Sequence, residues 1–325
     1  MGIRHTVMRT GAAVLLFLSA GCSSGGNELR ANSSGMVIDM IVKMDHGDYW
    51  NTIRMGAEVA AKEYNVNLKF KAPTNENDTD GQIRLMEQSI QEKPDAIILS
   101  ASDYMALAQV TDRASYAGIP VISMDAEVAS TKVKSYIGAN NYEAGQQAAE
   151  RLIQLTGTSA KIGIINFVKG ARNADQREEG FSDYAARFPG VKIVETAYCA
   201  SDEKLAQKQT AEMLRHYPDL DGIVAMNAEA SIGVGRAIEE VGSSSRVKVI
   251  TFDNPPEMLE LLQEKKVQAM VVQNAFSNGY LAVVTALRSA QGSSVEERYD
   301  TGTKVIDLEN MLWPENQKLL FPFVK

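Results

Sequence analysis

Residues 94–125, PDAIILSASDYMALAQVTDRASYAGIPVISMD, contain the repeating unit that decides the fold. The apolar run Ala96–Ser100 follows the turn dipeptide Pro94-Asp95, and the amphipathic stretch Met105–Ala117 comes next. Gly118-Ile119-Pro120 breaks that stretch and leads into Val121–Met124, a second apolar run that stops at Asp125. Short runs that are apolar on both faces suit strands of a parallel sheet covered by helices on both sides. Strand, helix and strand at this spacing form a βαβ unit.

The same rhythm extends in both directions. Upstream lie a strand at Met36–Val42, a helix from about Tyr49 to Tyr64 with Ile53, Ala57, Ala60 and Ala61 on one face, and a strand at Asn67–Lys71. A polar turn through Asn75, Asn77, Asp78 and Asp80 caps a helix over Gly81–Glu92, where Ile83, Met86 and Ile90 recur at helical spacing. After Tyr136–Gly138 a second series begins: helix Tyr142–Thr156, strand Lys161–Asn166, helix Gln176–Phe188, strand Lys192–Thr196, helix Leu205–His216, strand Gly222–Met226, helix Ala230–Val241 and strand Lys248–Phe252. Two βα series of similar length predict two similar doubly wound α/β lobes. A strand at Ala269–Gln273, a helix from about Gly279 to Ala290, a run at Thr303–Leu308 and a Trp313-Pro314 tail close the chain; a late return to the first lobe would explain this short extra unit.

With 325 residues, 45% hydrophobic and 23% charged, the chain has enough apolar material for two lobes of ordinary size. A net charge of -8 argues against a nucleic-acid partner, because neutralising phosphates needs a basic face. The two cysteines, Cys22 and Cys199, imply no disulfide framework. Arg4, His5 and Arg9 precede the apolar run Ala12–Leu18, then Ser19-Ala20-Gly21-Cys22 and a polar tract, which is the order of an export signal with a cleavage site. That run is too short to span a bilayer. Cys199, alone beside a strand, reads as a small buried hydrophobe.

In open parallel sheets ligands bind beyond the carboxyl ends of the strands. Those positions hold Lys43 to Trp50, Ser100 to Asp103, Asp125, Asn166 to Arg177, Asn227, Phe252 to Asn254, and Gln273-Asn274. Carboxylates, amides and an arginine fix hydroxyl groups, and aromatic faces cover the apolar side of a ring, so the set suits a sugar. Singly, each residue has a plainer reading. Asp125 or Asp253 would serve equally as a cap or turn former, Tyr49 and Trp50 as packing for the first helix, and Arg177 as half of a surface ion pair. Enzymatic signatures are missing from the sequence: it has no phosphate loop ending in Lys-Ser/Thr and no Gly-x-Ser-x-Gly elbow, so no catalytic residue and no cofactor is expected. His5, His46 and His216 lack metal-ligand spacing, so no metal is expected either. Gly233-x-Gly235 falls within a helix, where close packing is the simpler account.

Five ordered motifs carry a resemblance: Tyr49-Trp50 with Gly56-Ala57 downstream, Ile119-Pro120-Val121-Ile122-Ser123-Met124-Asp125, Arg177-Glu178-Glu179-Gly180-Phe181, Met226-Asn227-Ala228-Glu229, and Ile250-Thr251-Phe252-Asp253. Over Met36 to Leu308 the chain resembles the type I periplasmic-binding-protein family, especially its ribose-binding branch. The resemblance implies two lobes joined by three crossover strands, near Gly138–Asn140, Gln273-Asn274 and Gly302-Thr303, closing on a ligand like a hinged clam. The chain then divides into a signal peptide and lipobox (1–22), a flexible tether (23–35), a first lobe (36–139 with 274–302) and a second lobe (140–273 with 303–325). By position, Tyr49 and Trp50 would stack on a sugar ring, Asp125, Arg177, Asn227, Asp253 and Gln273 would bind its hydroxyls, Phe252 would close the opposite face, and Ser100 would add a polar contact. Ala126 stands where an arginine is common, and Lys43 stands at the end of the first strand and would restore that charge.

Small residues before Cys22 resemble a lipobox, which implies acylation of that thiol and anchoring of an extracytoplasmic protein to the membrane; ordinary secretion is the alternative. The implied function is capture of a small polar ligand, a monosaccharide or related polyol, by a monomer that delivers it to an ABC permease. The alternative output is a membrane histidine kinase or chemoreceptor that senses the closed state. No enzyme activity and no nucleic-acid binding are implied.

Overall fold

The computed structural model describes Gly2, residues 35–243 and residues 246–321. The expected signal segment, Cys22, all but the last residue of the tether, and residues 322–325 lie outside the described residues. Among the described residues no helix is long and apolar enough to cross a membrane.

Twelve strands form two six-stranded sheets. The first contains β1 (Val37–Ile41), β2 (Asn67–Lys71), β3 (Ala96–Leu99), β4 (Val121–Met124), β5 (Ser135–Gly138) and β11 (Arg298–Asp300), in the order β11-β5-β4-β3-β1-β2. The second contains β6 (Ser159–Asn166), β7 (Gly190–Tyr198), β8 (Gly222–Ala225), β9 (Lys248–Phe252), β10 (Ala269–Gln273) and β12 (Thr303–Ile306), in the order β12-β10-β9-β8-β6-β7. All pairings are parallel except that of β10 with β12. Both sheets therefore reverse direction beside their first strand, between β1 and β3 and between β6 and β8, and such a reversal opens a crevice at the carboxyl edge. This is the two-lobed doubly wound α/β architecture expected from the sequence. The chain passes from one sheet to the other after β5, after β10 and between β11 and β12.

Ten helices are described: α1 (Asp48–Tyr64), α2 (Thr79–Glu92), α3 (Ala108–Tyr116), α4 (Asn141–Thr156), α5 (Arg172–Ala185), α6 (Glu203–His216), α7 (Ala228–Val241), α8 (Pro256–Gln263), α9 (Ala275–Ala290) and α10 (Pro314–Leu320). Strand alternation builds the core. In β3, Ala96 and Ile98 join the cluster under α1 and α9, while Ile97 and Leu99 join the one under α2 and α3. Gly233 packs against the Glu203 carbonyl and Ala206 on α6, consistent with a packing role for the glycines of α7.

Several elements differ from the sequence reading. Helix α5 begins at Arg172, ahead of the expected Gln176, because its first turn is polar and carries no apolar period. Helix α9 begins at Ala275, where the Asn274 side chain accepts from the Ser277 amide and caps it. Helices α8 and α10, which the sequence pattern does not mark, each start at a proline; at the first helical position proline is favourable, since its missing N–H is one no helix uses. Strand β11 is three mostly exposed residues, too short to show a period.

Candidate functional site

Asp125 and Asp253 end β4 and β9 in the same way. Asp125 has φ 64° and Asp253 φ 63°, the left-handed region, and each donates its amide N–H to the neighbouring strand, Asp125 to Ile137 O (2.8 Å) and Asp253 to Val271 O (2.9 Å). Aspartate tolerates this conformation better than most residues. The sharp turn leaves each carboxylate buried at the carboxyl edge of its sheet, one per lobe, so turn former and site residue are compatible roles here.

Around Asp125 the first lobe builds an acceptor held from several sides. The Tyr49 hydroxyl donates to its Oδ1 (2.7 Å), and Ser100 Oγ (2.9 Å) and Asn173 Nδ2 (3.2 Å) donate to Oδ2. Lys43 Nζ lies 3.5 Å from the same oxygen and 3.1 Å from Glu76 Oε1, and donates to Asn173 Oδ1 at 2.9 Å. Lys43 is wholly buried, as a lysine is only when paired. Tyr49 meets Trp50 edge to face, with centroids 5.3 Å apart. Burial, then the Asp125 charge, raises the Tyr49 hydroxyl well above its ordinary pKa, so it stays a donor.

The second lobe supplies Arg177 from α5. Its Nε donates to Asn141 Oδ1 (2.9 Å) and its Nη1 to Met226 O (2.6 Å), and the guanidinium lies 4.6 Å from the Phe252 ring centroid and 5.6 Å from that of Phe167. Asn227 caps α7 by accepting from the Ala230 amide, and its Nδ2 donates to Ser201 Oγ and Glu229 Oε2, both at 2.9 Å. Ser201 in turn donates to Glu76 of the first lobe. Gln273, at the second crossing between sheets, donates to Asp253 Oδ1 (2.9 Å) and lies 3.4 Å from the Tyr49 hydroxyl.

Seven of the ten sequence-selected residues, Tyr49, Trp50, Asp125, Arg177, Asn227, Asp253 and Gln273, line one cavity between the lobes. The other three stand behind it: Lys43 and Ser100 hold Asp125, and Phe252 backs the Arg177 guanidinium instead of closing the opposite face of the cavity. Glu76, Phe167, Asn173, Ala228 and Glu229 complete the lining. The sequence reading passed over Glu76, which sat in a polar turn assigned to helix capping. Phe167 and Asn173 lie inside the strand-end segment Asn166 to Arg177, where position marks them but no pattern separates them from their neighbours, and Glu229 appears in the sequence only as the end of the Met226-Asn227-Ala228-Glu229 motif.

The cavity volume is about 20 Å³, room for one water, so a ring-sized ligand enters only when the lobes part. A recess of about 500 Å³ on the other side of Tyr49, Asp253 and Gln273 is walled by Met55, Phe276 and the Lys318–Phe321 segment.

Two of the carboxyls that line the cavity are raised above their ordinary values. Burial is the main cause for both: it pushes Asp253 up to about 6 against the Arg177 charge, and with the neighbouring Glu76 carboxylate it pushes Glu229 up to about 8. Their ordinary values in an unfolded chain are near 4, and a carboxyl whose folded value is the higher one loses stability as pH rises between the two. Of the two, Glu229 dominates between about pH 6 and pH 8, and its titration is expected to cost the ligand-free protein on the order of 2 kcal/mol across that window. Urea unfolding at the two ends of the window measures the loss, and Glu229→Gln should flatten it. Wild-type stability that stays level or rises would contradict the assignment. Cys199 is buried and its thiol is pushed up to about 12 by burial, which leaves it inert as a nucleophile.

The family model for the periplasmic binding protein domain matches residues 38–294. The chain belongs to that family. Among curated relatives of this binding protein, the D-ribose/D-allose-binding protein of Pseudomonas aeruginosa is 28% identical over 271 residues, covering 81% of this chain and 85% of the relative. The ribose import binding protein of Bacillus subtilis is 25% identical over 296 residues, covering 89% and 95%. Among solved structures, a carbohydrate transporter solute binding protein from Agrobacterium radiobacter in complex with D-arabinose superposes with a TM-score of 0.85 at 30% identity, covering 88% of this chain and 98% of that one. An ABC transporter solute binding protein from Agrobacterium vitis with bound D-fucose gives 0.85 at 31%, covering 87% and 99%. The family is one of extracytoplasmic binding proteins rather than enzymes, and the binding protein's function is capture of a small polar solute for ABC transport.

Proposed function

We propose that the solute is a sugar of pentose or hexose size, held by the cavity residues of both lobes and released to an ABC permease by a monomeric protein. The observation that carries this reading is the convergence of Asp125, Arg177, Asn227, Asp253 and Gln273 beside the Tyr49 and Trp50 rings in one enclosed site. Fixed donors and acceptors around an aromatic platform match the alternating hydroxyls and apolar face of a sugar ring. The sugars bound by similar proteins, D-arabinose and D-fucose among them, agree with that chemistry. The moving bodies are residues 36–139 with 274–302 and residues 140–273 with 303–325, a division supported by sheet membership. Bonds that join them, Lys43 to Asn173, Asn173 to Asp125 and Ser201 to Glu76, mark the surfaces that part on opening and meet on closure. Acylation of Cys22 would hold the binding protein at the outer face of the membrane, a reading supported by Ser19-Ala20-Gly21 directly before it.

A thermal-shift screen against pentoses, hexoses, polyols, amino acids and nucleosides tests the solute class. A ligand at a hundredfold excess over its dissociation constant stabilises by about 2.7 kcal/mol, which moves the midpoint by several degrees. Sugars are expected to give that shift. A shift with amino acids or nucleosides and none with sugars would keep the fold and remove the sugar.

A further inference from the structure

The charges around the cavity do not balance. Four buried carboxylates border it, Glu76 and Asp125 from the first lobe and Glu229 and Asp253 from the second, against two buried cations, Lys43 and Arg177. Lys43 is shared between Glu76 and Asp125. Arg177 makes no ion pair among the described residues; its bonds go to an amide and a backbone carbonyl. The residue after Asp125, where a further cation would stand, is the buried Ala126.

The surplus concentrates at Glu229, in the first turn of α7. Its Oε2 accepts from Asn227, its carboxyl also takes a hydrogen bond from its own backbone amide, and its Oε1 faces Gly47, where an added Cβ would lie 2.6 Å away. The charges that act on it most strongly are acidic: Glu76 from the loop before α2, Asp253 from the turn after β9, and Glu203 from α6. The neighbouring cations are committed elsewhere, Lys43 to Glu76 and Arg236 to Glu203, and Glu229 makes no ion pair among the described residues. Glu229 and Glu76 come from opposite lobes and are linked through Asn227 and Ser201, so closure brings two carboxylates together in a dry site. A neutral ligand leaves that repulsion to be quenched by a proton, and the high pKa of Glu229 shows that a proton is readily held there. A cation there would quench it directly and would make closure itself favourable, which is the differential affinity that ligand-driven closure requires.

Resting on the sugar reading above, we propose that the ligand is an amino sugar, a polyhydroxylated ring whose ammonium group sits on Glu229 with Glu76 behind it. An ammonium has three donors and no acceptor, which suits a pair of buried carboxylates, while the ring hydroxyls fall to Asp125, Arg177, Asn227, Asp253 and Gln273. Proton and ammonium compete for one carboxylate, so binding expels the proton from Glu229.

Isothermal titration at about pH 6.5, where Glu229 and the free ammonium are both protonated, reads this directly when repeated in two buffers of unlike ionisation enthalpy. The probes are glucosamine, galactosamine and mannosamine, their parent hexoses and their N-acetyl forms. At least one amino sugar is expected to bind at least tenfold tighter than its parent and its N-acetyl form, releasing close to one proton per site. Glu229→Gln should abolish the proton release and weaken that amino sugar at least tenfold, its unchanged circular-dichroism spectrum serving as the check on folding. Neutral sugars binding as tightly as their amino counterparts, or an amino sugar binding without proton release, would overturn the proposal and leave the sugar site standing. Silence from every sugar, charged and neutral, would overturn both.

Discussion

Replacing Arg177 with alanine is expected to abolish sugar binding and to lower stability by about 2–5 kcal/mol, the range for truncating a large buried side chain. Its side chain is 1% exposed, bridges the Asn141 amide and the Met226 carbonyl, and lies between Phe252 and Phe167. Truncation leaves the Met226 carbonyl without this donor, two aromatic faces without their cation, and a void where a guanidinium stood. It also removes the positive charge that holds Asp253 down, so that carboxyl moves further above about 6 and loses acceptor strength toward the ligand. Arg177→Lys separates charge from geometry: an ammonium restores the charge but cannot donate along both directions while stacked, so it should recover part of the stability and little of the binding. Denaturant unfolding and titration with the sugar found in the screen measure both effects. Arg177→Ala with near wild-type stability would show that the network is not what holds the second lobe's half of the site.

What the sequence disclosed and what it hid divide along one physical line. Strands such as Ala96–Leu99 and Val121–Met124 announce themselves because burial on both faces forces an apolar run, and the strand-end rule then pointed to Asp125 and Asp253 without knowledge of the turn that aims them. Residues whose importance comes from tertiary juxtaposition carried no such mark. Glu76 lies in a polar turn that would read the same on any surface, yet the fold sets it against Lys43 and, through Ser201, against the other lobe. Asn173 sits on the first turn of α5, whose polar sequence lacks an apolar period because that end of the helix faces the site, so nothing separates it from its polar neighbours. Phe252 ends its strand where the resemblance puts a ring against the ligand, yet its ring backs the Arg177 guanidinium, because position in a motif does not fix which side of the strand end a ring covers.

The second large effect is expected at a residue far from any charge. Glycine in a helix interior is ordinarily improved by alanine, which gains about 0.5–1 kcal/mol through lower backbone entropy. Gly279, inside α9, should do the opposite, with Gly279→Ala destabilising by about 3 kcal/mol and Gly279→Val by more, in the manner of an overpacked core. A Cβ at this position would lie 1.9 Å from the Ile53 carbonyl oxygen of α1, and one at Gly56 on α1 would lie 2.0 Å from the Phe276 carbonyl oxygen of α9. The two helices thus meet backbone to backbone through reciprocal glycines, and neither contact atom is a flexible side chain that can swing aside. Helix α9 is the segment that arrives from the other lobe after Gln273, and α1 carries Tyr49 and Trp50 at its start, so separating them shifts the aromatic wall relative to Gln273. Loss of affinity should therefore accompany loss of stability. Gly292→Ala is the control, because that residue has φ +77° and open space around it, leaving only a local backbone cost of about 1 kcal/mol and no reason for binding to change. Paired urea unfolding curves and sugar titrations on the three variants decide the matter: a stabilised Gly279→Ala would mean that the helices can part without consequence, and the close approach of α1 and α9 would lose its role in placing the site.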